Sequence, residues 1–326
     1  MSQGIAVPEP RVATEVRDVP SAAPALSRDV SASRMSNYII LAKPRIAVMV
    51  LFTVALGFAL GATGPGAAGS VWSWSLLNGL LGIGLTAIAS GALNQWWERE
   101  TDGQMVRTAR RPLVTGRLAP VEGLVFGVVL GIAGVAWLAA FVNPLTAVLS
   151  AATLLSYTFV YTPLKRVSSV AVILGAIPGA MPPVLGWTAA GRGLEPGAFG
   201  LFAILFLWQF PHFLAIAWMY RSEYARAGLK MLPGGCEQAD GVPNTPAGAL
   251  AVVYALLLVP VSLQPVLVGL AGWVYLIVAM GLGLWYVRSA IGFWQNPTRL
   301  TARRVLLTSV MYLPLLLAVL VLDHLW

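Results

Sequence analysis

Three oxygen-bearing residues, Asn94, Glu98 and Asp102, recur at intervals of four. On a helix of about 3.6 residues per turn each such step rotates by only about 40°, so the three form one stripe. Carboxylate and amide oxygens suit Mg2+, a hard cation that binds one or two carboxylates together with substrate phosphates. Arg107, Arg110 and Arg111 follow directly. Guanidinium groups grip phosphate through paired hydrogen bonds. An acidic stripe joined to a basic patch is the chemistry of a Mg2+-bound diphosphate. Each residue alone also reads as solvated loop charge, but the whole constellation is poorly explained that way. Asp102 is expected in the polar loop beyond the helix end.

Two further clusters carry chemistry. Tyr157 and Tyr161 share a helix face, and Lys165 and Arg166 follow just past its end. This reads either as an aromatic belt with basic anchors or as a second diphosphate clamp. The run Trp208-Gln209-Phe210-Pro211-His212-Phe213 leads into Arg221-Ser222-Glu223-Tyr224. Pro211 is expected to kink its helix. His212 is one of only two histidines; it reads as an interhelical hydrogen-bonder, a ligand contact or an acid–base group. Glu223 reads as a second metal ligand or as an exposed loop acid.

The elements that hold these residues follow from composition. The chain has 326 residues, 58% of them hydrophobic and 10% charged, against about 25% charged in an ordinary soluble domain. Such a chain cannot cover a water-facing surface. No Asp, Glu, Lys or Arg occurs in residues 46–97, 123–164, 167–191, 196–220, 241–287 or 305–322. A membrane-crossing helix needs roughly 20 apolar residues, and Gly- and Pro-containing breaks divide the longer windows. Nine spans are expected, near 38–60, 72–97, 120–141, 144–162, 168–189, 197–220, 246–263, 267–287 and 304–323. Continuous Leu-, Ala- and Val-rich runs exclude a β-barrel, which needs short alternating segments.

Lys and Arg concentrate before the first span and in every second loop after it. Basic loops stay in the cytoplasm. The N-terminus is therefore expected inside and the C-terminus outside, in the periplasm or extracellular space, as an odd number of spans requires. The net charge of +8 follows from this bias and from an anionic substrate, so nucleic acid is rejected as a partner. Residues 1–35 lack a central apolar stretch and read as a disordered cytoplasmic tail, ahead of a transmembrane domain over 36–326. The single Cys236 excludes an intrachain disulfide; it reads as an incidental loop residue.

From Asn94 to Leu113 the chain resembles the first Asp-rich motif of the UbiA superfamily of intramembrane prenyltransferases. The match consists of Asn94, Glu98 and Asp102, then Arg107-Thr108-Ala109-Arg110-Arg111-Pro112. The stretch Tyr161-Thr162-Pro163-Leu164-Lys165-Arg166 is similar to the family's second loop. The run from Trp208 to Phe213, and Glu223-Tyr224 with Ala227-Gly228 and Met231-Leu232-Pro233, resemble the branch that farnesylates haem. The resemblance covers roughly residues 36–320 and departs in two ways. Glu98 and Glu223 stand where relatives often have Asp, and the superfamily's second Asp-rich motif is missing near 220–227.

The resemblance implies a bundle of nine helices around a central cavity. It implies an Mg2+-dependent transfer of farnesyl from farnesyl diphosphate to a vinyl group of haem b, with water addition giving haem O. Asn94, Glu98, Asp102 and Glu223 would hold metal, with Lys165 and Arg166 balancing charge beside them. Arg107, Arg110, Arg111, Tyr157, Tyr161, His212 and Tyr224 would contact substrates, His212 as a haem contact. Aromatic faces would stabilise cationic character. A bacterial inner membrane and a haem A synthase partner are implied as well. Two rivals are weighed: prenylation of a quinone-precursor acid, for which the second Asp-rich motif is expected, and a haem-handling or transport protein. No internal repeat of the kind transporters favour is found.

Overall fold

The computed structural model describes residues 33–67, 69–231 and 245–326. From Ser33 onward the described residues form helices joined by loops, with no strand. The elements are α1 (Arg34–Ala42), α2 (Pro44–Thr63), α3 (Trp74–Asp102), α4 (Pro120–Phe141), α5 (Pro144–Leu164), α6 (Ala171–Ala189), α7 (Pro196–Met219), α8 (Arg221–Arg226), α9 (Pro246–Leu267), α10 (Trp273–Gln295) and α11 (Arg299–Leu325). Among the described residues nine helices are long and apolar enough to cross a membrane, namely all but α1 and α8.

Most helix starts are marked by local chemistry. Proline occupies the first turn of α2, α4, α5, α7 and α9, where its missing N–H costs nothing. Ser73, Asn143, Thr245 and Thr298 accept a hydrogen bond from a first-turn N–H, which satisfies an orphan donor.

Several boundaries differ from expectation, the eighth span most of all, at Trp273–Gln295 and not 267–287; two of the differences shape the site. The first span does not begin at 38. Lys43 adopts a left-handed conformation at φ 50° and divides α1 from α2, because a residue before proline is pushed out of the right-handed helical region. The second span does not end at 97. Helix α3 continues for 29 residues to Asp102, and Asp102 is its buried last residue, not a loop residue. Its charge is met by a protein cation in place of water. Arg34 and Met35, expected in the tail, open α1; residues 1–32 and Cys236 lie outside the described residues.

Helix α3 packs along α4, α2 along α6, and α6 along α7, while α7 also meets α9 and α11 and α10 lies between those two. Small residues permit the close crossings. A Cβ on Gly57 would strike the Pro183 carbonyl, and one on Gly186 would strike the Val54 carbonyl. The α2–α6 crossing is thus locked backbone to backbone. Alternating helix direction collects Lys43, the 103–119 loop, the 165–170 loop and α8 at one basic end. Contacts tie these segments: the Lys230 N–H donates to the Lys165 carbonyl at 3.0 Å, and Arg166 Nη2 donates to Thr101 Oγ1 at 2.9 Å.

Candidate active site

Asn94, Glu98 and Asp102 lie on successive turns of α3 and are 3%, 7% and 1% exposed. Each meets cations or donors from elsewhere in the chain. The Asn94 Oδ1 accepts from Lys43 Nζ at 3.3 Å, and its Nδ2 donates to Thr162 Oγ1 at 3.2 Å. Glu98 pairs with Lys165, itself buried. Asp102 Oδ2 pairs with Arg111, and its backbone carbonyl accepts from Thr108 Oγ1 at 2.8 Å. The remaining oxygen, Asp102 Oδ1, is buried and has no hydrogen-bond partner among the described residues. A buried acceptor without a partner costs about 1–3 kcal/mol, so this atom awaits a cation or a donor.

The second loop reaches the stripe through a local irregularity. Residues Ser156–Tyr161 of α5 are π-helical, a wide turn that often marks functional sites. Thr162 Oγ1 donates back to the Tyr157 carbonyl at 2.8 Å while accepting from Asn94. The Tyr157 and Tyr161 rings lie 5.2 Å apart. Lys165 Nζ sits 5.0 Å from the Tyr161 ring centroid, so the ring steers the ammonium towards Glu98. Gly175 makes room for this arrangement, since a Cβ there would run into the Tyr161 ring.

Arg107 lies over the Tyr220 ring at 5.4 Å and reaches the Tyr224 hydroxyl at 3.4 Å. This brings α8 to the rim. Burial holds the Tyr224 phenol above its ordinary pKa, against the pull of Arg107 and Lys165. Burial, with Arg111 nearby, lowers the Lys43 ammonium to about 7. Around two carboxylates stand Lys43, Arg107, Arg111, Lys165 and Arg166. Cations outnumber anions, so an anionic ligand fits this end. Hard oxygens on one stripe, one of them orphaned, fit a divalent cation bound with it.

The structure does not bring every expected residue to this point. Arg110 is exposed; its backbone carbonyl accepts from Arg117 Nη2 at 2.5 Å. Glu223 lies half-buried on α8, next to Tyr224. Among the described residues it does not complete a three-acid group with Glu98 and Asp102. His212 lies apart, against α11, with Nδ1 2.7 Å from Ser309 Oγ. Lys43, Thr101, Thr108 and Thr162 escaped the sequence reading. Lys43 had a signal, a basic residue directly before a helix-starting proline; Thr108 and Thr162 stood inside the quoted motifs without a role, and Thr101 had no signal.

The profile of the UbiA prenyltransferase family matches residues 50–321. A protoheme IX farnesyltransferase of Solibacter usitatus is 47% identical over 296 residues, spanning 89% of this chain and 99% of that protein. One from Koribacter versatilis is 40% identical over 337 residues, spanning 99% and 98%. Among solved structures, a UbiA homolog from Archaeoglobus fulgidus bound to GPP and Mg2+ superposes with a TM-score of 0.62 at 19% identity, covering 87% of this chain and 99% of that one. At that identity the likeness speaks for the fold.

Proposed function

The chain belongs to the UbiA prenyltransferase family, and from that premise we propose that it transfers farnesyl from farnesyl diphosphate to a vinyl group of haem b. Water adds in the same reaction, and haem O and diphosphate are the products. The observation that carries the prenyl-transfer reading is the buried stripe of Asn94, Glu98 and Asp102 set among five cations. The acceptor is supported by the near full-length likeness to proteins named for protoheme.

Asn94, Glu98 and Asp102 would hold Mg2+, with Glu223 a candidate for a second ion. When bound, the ion supplies electrostatic stabilisation of the charge that develops on the leaving diphosphate. The protein's own part starts from the ion pairs. Lys165 and Arg111 are held by Glu98 and Asp102 in the free protein. They turn to the phosphate oxygens when the diphosphate arrives, with Arg107, Arg110 and Arg166 at the rim. As the carbon–oxygen bond lengthens, the Tyr157 and Tyr161 faces stabilise the allylic cation. The haem vinyl attacks this carbon, water captures the cation left on haem, and one proton is released.

The Lys and Arg distribution supports a basic end facing the cytoplasm, with the protein in the cytoplasmic membrane of a bacterium. A haem A synthase would consume the product. The test is diphosphate release from farnesyl diphosphate with haem b or with a 4-hydroxybenzoate-type acid as acceptor. Release with haem alone is expected; release with the acid alone would overturn the acceptor.

A further inference from the structure

A cavity of about 560 Å3 lies between α10 and α11, and no residue of the α3 stripe lines it. Its wall carries Trp285, Arg288, Ser289 and Gly292 from α10, with Thr301 and Arg304 from α11. Ser289 Oγ lies 3.0 Å from Thr308 Oγ1, which ties the two helices together beside it.

The two arginines are unbalanced. No acidic residue lines the cavity, and the sequence has no Asp or Glu from Gly241 to Leu322. Both side chains are exposed, and neither has a hydrogen-bond or ion-pair partner among the described residues. Arg288 lies seven residues before the end of α10 at Gln295, and Arg304 five residues after the start of α11 at Arg299. Both therefore stand about 8–10 Å inside the basic end. Just deeper, Leu284 and Leu307 are 58% and 51% exposed, an apolar face for lipid chains. An unpaired charge beside such a face is costly.

Gly292 is a second, independent sign. Glycine inside a helix costs stability relative to other residues, and in membranes it usually serves a close helix crossing. Here a Cβ would meet no atom within 4 Å, so packing does not require it. The missing side chain leaves room in the cavity that both arginines line.

We propose that the groove between α10 and α11 binds the phosphate headgroup of an anionic phospholipid from the cytoplasmic leaflet. Arg288 and Arg304 hold the phosphate oxygens, as guanidinium groups do, and the acyl chains run past Trp285 along Leu284 and Leu307. Basic pockets between membrane helices on the cytoplasmic side take such headgroups. The leaflet follows from the orientation proposed above. Snorkelling anchors account for scattered arginines, but not for a cavity with two charges, no acid and a glycine wall.

The test strips the full-length protein of lipid in a neutral detergent, titrates it with phosphatidylglycerol or phosphatidylcholine, and counts bound lipid by native mass spectrometry. One phosphatidylglycerol should be retained, at least about tenfold more tightly than phosphatidylcholine. Arg288→Gln and Arg304→Gln should each weaken it about tenfold or more, the loss of a charged hydrogen bond. Gly292→Leu changes no charge and should weaken it comparably, by filling the cavity. Arg303→Gln removes an arginine outside the cavity and should cost at most about fivefold, as general attraction to the membrane surface does. Binding of farnesyl thiodiphosphate should be unchanged in all four variants, which shows that they fold and keeps this site separate from the stripe. Equal losses in the three arginine variants, with none in Gly292→Leu, would leave only diffuse attraction and overturn the site. Release of the lipid by excess inorganic phosphate would assign a free anion and overturn the lipid. A protein that holds the diphosphate but retains no phosphatidylglycerol overturns the proposal outright.

Discussion

The change Glu98→Gln separates a metal ligand from a structural ion pair, because the two roles predict opposite signs. Glu98 and Lys165 form a pair whose side chains are each 9% exposed. Removing one partner of a buried pair costs about 3–5 kcal/mol. Here the Tyr161 ring, 5.0 Å from Lys165 Nζ, offsets about 1 kcal/mol. The free variant should therefore be about 2–4 kcal/mol less stable. Diphosphate binding should recover much of this by mass action. Without metal, the lost carboxylate no longer repels phosphate. One charge at about 7 Å in an effective dielectric of about 20 is worth about 2 kcal/mol, roughly thirtyfold tighter binding. With Mg2+, loss of a ligand should weaken binding at least about tenfold. Calorimetric titration of a non-reacting farnesyl thiodiphosphate, with and without Mg2+, reads both. A shift in the same direction in both conditions would refute the metal-ligand role of Glu98.

Three further outcomes are expected. Asp102→Asn should lower turnover by at least about a hundredfold, as expected when a group stabilising transition-state charge is lost, while melting curves show a cost of only about 1–3 kcal/mol from the broken Arg111 bond. Gly175→Ala should displace the Tyr161 ring and, through it, Lys165; farnesyl diphosphate KM should rise about three- to tenfold, as for one weakened charged contact. Gly57→Ala should drive a methyl into the Pro183 carbonyl and cost about 1–3 kcal/mol or more by overpacking, seen as a lower Tm with the metal response intact.

The sequence made the spans and the acidic stripe legible for the same reason. Both rest on local regularity: charge-free windows of membrane length, and a four-residue interval on one helix. The nine spans stand where those windows lie, although the eighth runs past its window, through Arg288 to Gln295. What stayed hidden is long-range. No interval predicts that Lys43 meets Asn94, 51 residues on, or that His212 meets Ser309, 97 residues on. Asp102 looked like a loop residue because it stands among charges. Its burial became visible only with Arg111 folded back onto it. The π-helical turn at Ser156–Tyr161 has no residue type that announces it. It reflects Thr162 serving both the Tyr157 carbonyl and Asn94. Arg110 illustrates the reverse: its type and spacing matched the basic patch, yet the fold leaves it exposed.

The measurement that bears most directly on the central claim is the mass of the porphyrin recovered after incubating the purified protein with haem b, farnesyl diphosphate and Mg2+, with and without a chelator. The porphyrin should be heavier by one farnesyl group and one hydroxyl, and this product should form only when the metal is present. Unmodified haem, from a protein that is folded and holds the diphosphate, would contradict it.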